Sequence, residues 1–365
     1  MQIASLLLVW HTVNMWKLGS FGGFSMHILN RIDIALLMCL AVTSVTHGMI
    51  GPWYPNRELP LHDAAFCGEC DRVSCLLDAG TNINEPDSNG RTALHYAASA
   101  CREWMINQLL AHDADAGLQD KYKNTALHAL CLSSLHHSSS SFEHGDAVRA
   151  LRALVAHDAS VSDEEDGGYT PLACVVMASK CPAAEGRIVV DQKKRYRDMA
   201  ECLIECGAEL SPERRSTLYC ACDYPVDVEM VALLLRHGAN VNGTVNGFQG
   251  APLHAAVRSG SAAVVRLLLN GGAFIDVQDV SGRSPLHDVG SLALMELLLG
   301  RDADMEVADR RGVTPLAAYA NGAASYPATA PIERPSRTKL RVLLAYGASM
   351  DPETTLCPDW FGRGQ

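Results

Sequence analysis

The sequence predicts an all-α solenoid built from about eight stacked pairs of short helices. Three observations lead to this prediction. A unit of 33 residues, from Gly250 to Gly282, holds two apolar patterns at helical spacing, followed by a segment of turn-forming residues. Related units recur between residues 57 and 351. Two such short helices cannot bury their apolar sides alone, so neighbouring units are expected to stack against one another.

Local chemistry predicts where the helices of one unit begin and end. Pro252 opens the first helix, because the N–H that proline lacks would have no intrahelical partner at that position. In sister units the preceding residue carries a hydroxyl that can accept from free N–H groups; these residues are Thr170, Ser284 and Thr314. Gly272 is expected to end the second helix in the left-handed conformation.

The unit resembles the ankyrin repeat in its Thr-Pro-Leu-His-like opening, its Leu-Leu-x-x-Gly-Ala close and its 33-residue period. This resemblance implies an ankyrin-like solenoid of about eight repeats with short β-hairpin fingers between them. Three of the seven steps between repeats are 33 residues long, which chance periodicity would hardly produce. The position equivalent to the opening proline is occupied by Pro60, Ala93, Ala126, Pro171, Thr217, Pro252, Pro285 and Pro315.

The chain is expected to have three parts: an apolar segment over residues 1–56, the repeat domain over 57–351 and a short tail over 352–365. Insertions between the two helices of a repeat are expected near residues 132–146, 179–197 and 322–336. The second insertion carries a basic run from Lys193 to Arg197, which is expected to form a solvated loop.

Three interpretations fit the amino-terminal segment. It can be a signal peptide or membrane anchor, an apolar segment that packs on the first repeat, or the product of a misassigned start codon. Its densest apolar run, residues 34–45, is short for a membrane span. A membrane contact is therefore expected only through residues 34–50.

Composition limits the classes of function. The net charge of −11 argues against a nucleic-acid-binding surface, since phosphate binding needs a basic one. The thirteen cysteines are odd in number and irregular in spacing, and several occupy apolar positions of the repeat. Free thiols favour a reducing compartment, so a cytoplasmic location is expected, with membrane association through the amino-terminal segment as the alternative.

No motif for catalysis or cofactor binding stands outside the repeat pattern, and we expect neither an enzyme nor a metal site. Five histidines share one repeat position, where each is expected to bond its own cap and the neighbouring finger; they are His62, His95, His128, His254 and His287. Two clusters have residue types that can bind zinc, namely His62 with Cys67, Cys70 and Cys75, and Cys202 with Cys206, Cys220 and Cys222. We expect both to be structural, with Cys75 on the core side of its helix.

The resemblance implies a non-catalytic, monomeric scaffold that binds a partner protein on the concave face formed by fingers and first helices. The residues expected to contact the partner lie near fingertips: Asn89, Lys121, Tyr122, Phe248, Arg310 and Arg311. Two alternatives are a substrate adaptor of a cullin-type ubiquitin ligase and a membrane-tethered repeat protein. The resemblance also implies a hydroxylation site at Asn242, which follows Val241 with Leu234 eight residues earlier; Asn84 fits this pattern less well.

Overall fold

Helical segments follow one another in pairs along the chain. A computed structural model describes residues 60–132, 146–180, 187–210, 216–243, 250–324 and 335–349; the segment 1–56, Phe248 and the tail lie outside these ranges. The first members of the pairs are Pro60–Cys67, Ala93–Ser99, Ala126–Leu132, Pro171–Ala178, Thr217–Cys222, Pro252–Ser259, the 3-10 helix Pro285–Asp288, and Pro315–Ala324. The second members are Cys70–Asp78, Glu103–Ala111, Asp146–Ala156, Arg187–Glu205, Val228–Arg236, Ala262–Asn270, Leu292–Leu299 and Pro335–Ala345.

The predicted helix starts are confirmed, since each proline-equivalent residue is the first residue of a helical segment. Two of the predicted caps are confirmed: the Thr170 hydroxyl accepts a hydrogen bond from the Ala173 N–H at 3.3 Å, and the Thr314 hydroxyl accepts from the Ala317 N–H at 3.4 Å. The Ser284 hydroxyl instead lies 3.0 Å from His287 Nδ1. Gly272 follows the helix Ala262–Asn270 with a φ of 90°, in the left-handed region.

The helices form two layers with the core between them. First helices contact the first helices of the neighbouring repeats, and second helices from Glu103–Ala111 onward do the same. Small residues make the close approach of first helices feasible, because Ala97, Ala129 and Ala255 are fully buried at these contacts. Leucines such as Leu109 and Leu154, also fully buried, come from the second helices.

The basic run in the second insertion is helical, so the predicted solvated loop is wrong. The helix Arg187–Glu205 is 19 residues long and includes the whole run. Tyr196 within it is buried, and Arg197 forms ion pairs with Asp227, at 3.6 Å, and with Glu229. Arg195 reaches the Cys101 sulfur, two repeats away, at 2.8 Å. Packing and pairing of these side chains extend the helix into the inserted segment.

Repeat 7 has a shortened first helix, and side chains of repeat 8 compensate for it. The segment Pro285–Asp288 forms a single 3-10 turn whose last carbonyls lack helical partners. The Tyr319 hydroxyl donates to the Leu286 carbonyl at 2.7 Å, and the Lys339 ammonium donates to the Val289 carbonyl at 2.6 Å. Lys339 is buried and lies 5.0 Å from the centre of the Tyr319 ring, a cation–π arrangement.

Within the described ranges, no helix has the length and apolar character needed to cross a membrane. Residues 34–50, the predicted membrane contact, lie outside those ranges.

Candidate protein-binding face

The fingers are turns closed by an acidic side chain. The Asp279 carboxylate accepts hydrogen bonds from the backbone N–H groups of Ser281 (2.7 Å) and Arg283 (2.9 Å), and the Asp279 N–H donates to the Arg283 carbonyl at 3.0 Å. The same arrangement occurs at Asp87, Asp120 and Asp309. Among the described residues none belongs to a β-strand, so these closed turns stand where β-hairpin fingers were predicted.

Each turn needs a left-handed residue three positions after its acid. Gly282 fills this position with a φ of 78°, and a Cβ added there would lie 2.9 Å from the backbone nitrogen of Arg310 in the next finger. Glycine thus serves both the turn and the close approach of the adjacent fingertip. In the second finger Lys123 occupies the equivalent position and adopts the left-handed conformation, with a φ of 60°, although it is not a glycine.

Backbone hydrogen bonds join consecutive fingertips. The Lys121 N–H donates to the Asn89 carbonyl at 2.9 Å, and the Asp166 N–H donates to the Tyr122 carbonyl at 3.0 Å. Further along the chain, the Arg310 N–H donates to the Ser281 carbonyl at 2.9 Å. These bonds place the first three fingertips side by side, and likewise the fingertips at Asp279 and Asp309. We call the two residues that follow each turn-closing acid in the described fingers the fingertip row.

The structure brings the predicted contact residues together in two groups. Asn89, Lys121 and Tyr122 form one group through the bonds just described, with Lys121 exposed and the other two half-exposed. Arg310 and Arg311 form the other group, and both are exposed. Arg311 turns back to its own Asp309, yet 80% of its side chain stays accessible to solvent.

Three fingertip-row residues were not predicted from the sequence, where residues were selected by type: Ser88, Val280 and Ser281. Val280 follows Asp279 as Lys121 follows Asp120, and 42% of its surface is exposed. Ser281 is its exposed neighbour. Alignment of the turn-closing acids could have identified these positions from the sequence alone.

Each of the five repeat histidines links its own first helix to the finger that follows. His95 Nε2 lies 3.0 Å from the Asn124 carbonyl, and its Nδ1 accepts from the Thr92 N–H at 3.2 Å. An Nδ1 that accepts leaves the proton on Nε2, so the neutral ring donates to the carbonyl. Equivalent Nε2–carbonyl contacts are made by His62, His128, His254 and His287.

Burial favours the neutral form of these rings. Desolvation lowers the pKa of His128 to about 4, although its hydrogen bond to Tyr169 acts in the opposite direction. Desolvation likewise lowers the pKa values of His62, His95 and His254. The ladder of histidines is therefore a set of structural hydrogen bonds, as predicted, and burial keeps His62, His95, His128 and His254 uncharged at neutral pH.

A buried ion pair joins the first two fingers. Arg91 Nε lies 3.4 Å from Asp120 Oδ2, and both side chains are fully shielded from solvent. Nearby, the Tyr96 hydroxyl donates to Asp87 Oδ2 at 2.8 Å. Each charge in this network needs its partner, because an unpaired buried charge is strongly unfavourable.

Asn242 lies between two fingers and uses its amide to join them. Its Nδ2 donates to the Gly272 carbonyl at 3.0 Å, and its Oδ1 accepts from the Phe274 N–H at 2.8 Å. Asn84 accepts similarly from the Asp115 N–H at 2.9 Å. The amide of Asn242 is half-exposed, so it can be reached from solvent at the base of the finger.

Neither of the two clusters with zinc-type residues brings three metal-binding side chains together in the described part of the chain. Cys202, Cys220 and Cys222 are buried and Cys206 is half-buried, in accord with their apolar repeat positions. The expectation for Cys75 is wrong, because this residue is exposed. Its helix, Cys70–Asp78, has a described neighbouring repeat on one side only, and Val73 is its one fully buried side chain.

Two known proteins resemble part of this chain. Rabankyrin-5 from Mus musculus is 29% identical over 222 residues, which cover 60% of this chain and 14% of that protein. The E3 ubiquitin-protein ligase KEG from Arabidopsis thaliana is 27% identical over 230 residues, covering 62% of this chain and 13% of that protein. The chain thus matches only a small part of the length of these relatives.

Solved structures share the fold. The ankyrin repeat domain of human ASB11 superposes with a TM-score of 0.52 at 24% identity, covering 67% of this chain and 97% of that one. The ankyrin repeat domain of Bcl-3 gives a TM-score of 0.52 at 23% identity, covering 67% and 100%. The family model for ankyrin repeats matches three segments, residues 36–120, 188–279 and 218–309, which together cover more than half of the sequence. The chain therefore belongs to the ankyrin-repeat family.

Proposed function

We propose that this protein is a non-catalytic scaffold whose partner protein binds the fingertip row and the adjoining face of the first helices. Ankyrin repeats in general mediate protein–protein interaction. The observation that carries the proposal is the fingertip row itself. Backbone hydrogen bonds hold neighbouring turns together there, and the side chains that follow each turn-closing acid are exposed or half-exposed. We further propose that the protein acts as a monomer in the cytoplasm, since the described cysteines are all free thiols.

Rigidity supports binding at this row. In the described fingers the turns are closed by their own acids, backbone hydrogen bonds join the first three turns and separately the turns of Asp279 and Asp309, and histidines tie turns to helices. Such a surface loses little conformational entropy when a partner docks, so more of the contact energy becomes affinity. The exposed residues include a cation and an apolar side chain at equivalent positions, Lys121 and Val280.

Charge reversal at the fingertips tests this proposal. We expect Lys121→Glu, and separately the double variant Arg310→Glu with Arg311→Glu, to reduce recovery of the partner about tenfold in affinity purification followed by mass spectrometry. The fold should be unaffected, because these side chains are exposed. Circular dichroism of each purified variant checks that point.

Two controls make the result specific. Arg266→Glu reverses an exposed charge on the helix Ala262–Asn270, away from the fingers, and should leave recovery unchanged. Deletion of residues 134–144 should also leave it unchanged. Loss of the partner on that deletion, with the fingertip variants still binding, would place the contact on the edge that carries the insertions. Recovery of cullin or elongin subunits would favour the ligase-adaptor alternative.

Hydroxylation of Asn242 is a second proposal at the base of the same face. The half-exposed amide is joined to the next finger by two hydrogen bonds, and the hydroxyl would be added at its Cβ. Mass spectrometry of the peptide containing residues 237–258 from cellular protein should show one added oxygen, absent from an Asn242→Ala variant. An unmodified peptide throughout would refute this proposal.

A further inference from the structure

Exposed thiols are concentrated in the first repeat. Of the ten cysteines in the described ranges, Cys67, Cys70 and Cys75 are exposed, and Cys206 is half-buried. The other six are buried: Cys101, Cys131, Cys174, Cys202, Cys220 and Cys222. Core packing therefore does not account for the three thiols of repeat 1.

Two of these thiols flank a tight turn. Cys67 is the last residue of the helix Pro60–Cys67, and Cys70 is the first residue of the helix Cys70–Asp78. Between them, Gly68 has a φ of 83°, and the N–H groups of Gly68 and Glu69 both donate to the Ala64 carbonyl, at 2.8 and 2.9 Å. These two hydrogen bonds to one carbonyl end the first helix and direct the chain into the second.

We infer that Cys67 and Cys70 form a dithiol site that exchanges with small-molecule disulfides of the glutathione type and closes to a reversible intramolecular disulfide. The two-residue spacing keeps the sulfurs within a short, pre-formed turn, where ring closure costs little chain entropy. A metal is the weaker candidate for this pair, because no third ligand converges with it among the described residues.

The reaction balances as two exchange steps. The Cys70 thiolate attacks one sulfur of the small disulfide, a mixed disulfide forms, and one small thiolate leaves and takes up a proton. The Cys67 thiolate then attacks the Cys70 sulfur, which forms the intramolecular disulfide and releases the second small thiol. Two protein thiols are oxidised, and one small disulfide is reduced to two thiols.

The surroundings favour this order of attack. Burial, with the nearby carboxylates of Asp63 and Glu69, raises the pKa of the Cys67 thiol. The Cys67 sulfur also lies 4.0 Å from Asp63 Oδ1, close enough for a weak S–H contact. Cys67 is therefore better suited to the second, intramolecular step, where proximity compensates for a smaller thiolate fraction.

Peptide mapping of the full-length protein tests the inference. The reduced protein is incubated with defined ratios of glutathione and glutathione disulfide, remaining thiols are alkylated, and trypsin is added. Cleavage at Arg57 and Arg72 places Cys67 and Cys70 on one peptide, residues 58–72, and Cys75 on the next. In the oxidising mixtures we expect peptide 58–72 to carry neither alkyl label and to be two hydrogens lighter than the unlabelled dithiol peptide. After reduction and alkylation it should carry both labels.

Single variants separate this outcome from others. Cys67→Ser should stop at a glutathione adduct on Cys70, whereas the matched control Cys75→Ser should still close the disulfide. Because all three side chains are exposed, serine should preserve the fold. Full alkylation of peptide 58–72 at every ratio, stable adducts on both of its cysteines, or a link from either to Cys75 would overturn the inference.

Discussion

Replacement of Asp120 by alanine is expected to lower the free energy of unfolding by about 3–5 kcal/mol, the largest effect of any single change considered. The Asp120 carboxylate pairs with Arg91 where both side chains are fully shielded, and it accepts from the N–H groups of Tyr122 and Asn124. Alanine leaves the Arg91 charge buried without this partner and opens the turn. Urea unfolding of both proteins at neutral pH measures the difference.

Asp309 provides a matched control for the buried pair. It closes an equivalent turn by accepting from the N–H groups of Arg311 and Val313, but its ion-pair partner Arg311 is largely exposed. Asp309→Ala should therefore cost only about 1–2 kcal/mol, from lost hydrogen bonds. Equal losses for the Asp120 and Asp309 variants would show that the buried ion pair adds nothing to the turn.

Mild acid is expected to destabilise the protein through the histidine ladder. The pKa of His128 is lowered to about 4 in the folded state, against 6.5 for the unfolded chain. The unfolded state therefore takes up a proton first, so this contribution is fully present above pH ~6.5 and is lost as the pH falls towards 4. Over the whole window His128 alone accounts for about 3 kcal/mol. The lowered pKa values of His62, His95 and His254 act with the same sign.

Unfolding curves at about pH 7.5 and about pH 5 measure this dependence, and His128→Gln tests its origin. An amide cannot titrate, so the difference in unfolding free energy between the two pH values should shrink by about 2 kcal/mol in the variant. His112→Gln, at an exposed histidine outside the ladder, should leave the difference unchanged. A variant with the wild-type pH dependence would contradict the role given to His128.

Features that recur in most repeats were predictable from the sequence. The helix starts and the histidine contacts follow from chemistry confined to one unit, because a proline, a hydroxyl or an imidazole acts on atoms a few residues away or in the next finger. The prediction for His95 therefore held for both ring nitrogens.

Features that depend on a single repeat were not predictable. The basic run at 193–197 continues a helix because Tyr196 is buried and Arg197 meets acids of the following repeat, contacts that no periodicity encodes. The exposure of Cys75 follows from its place at one end of the described stack rather than from its repeat position. Val280 was missed because apolar residues at a turn resemble core residues until the turn geometry is known.

The most direct test of the proposed function is affinity purification, with mass spectrometry, of the full-length protein and of residues 57–365 expressed in the same cells. If the repeats carry the binding surface, both should recover the same partner at similar yield. Recovery of the partner, together with membrane proteins, by the full-length chain alone would contradict this and would assign the function to the apolar amino-terminal segment.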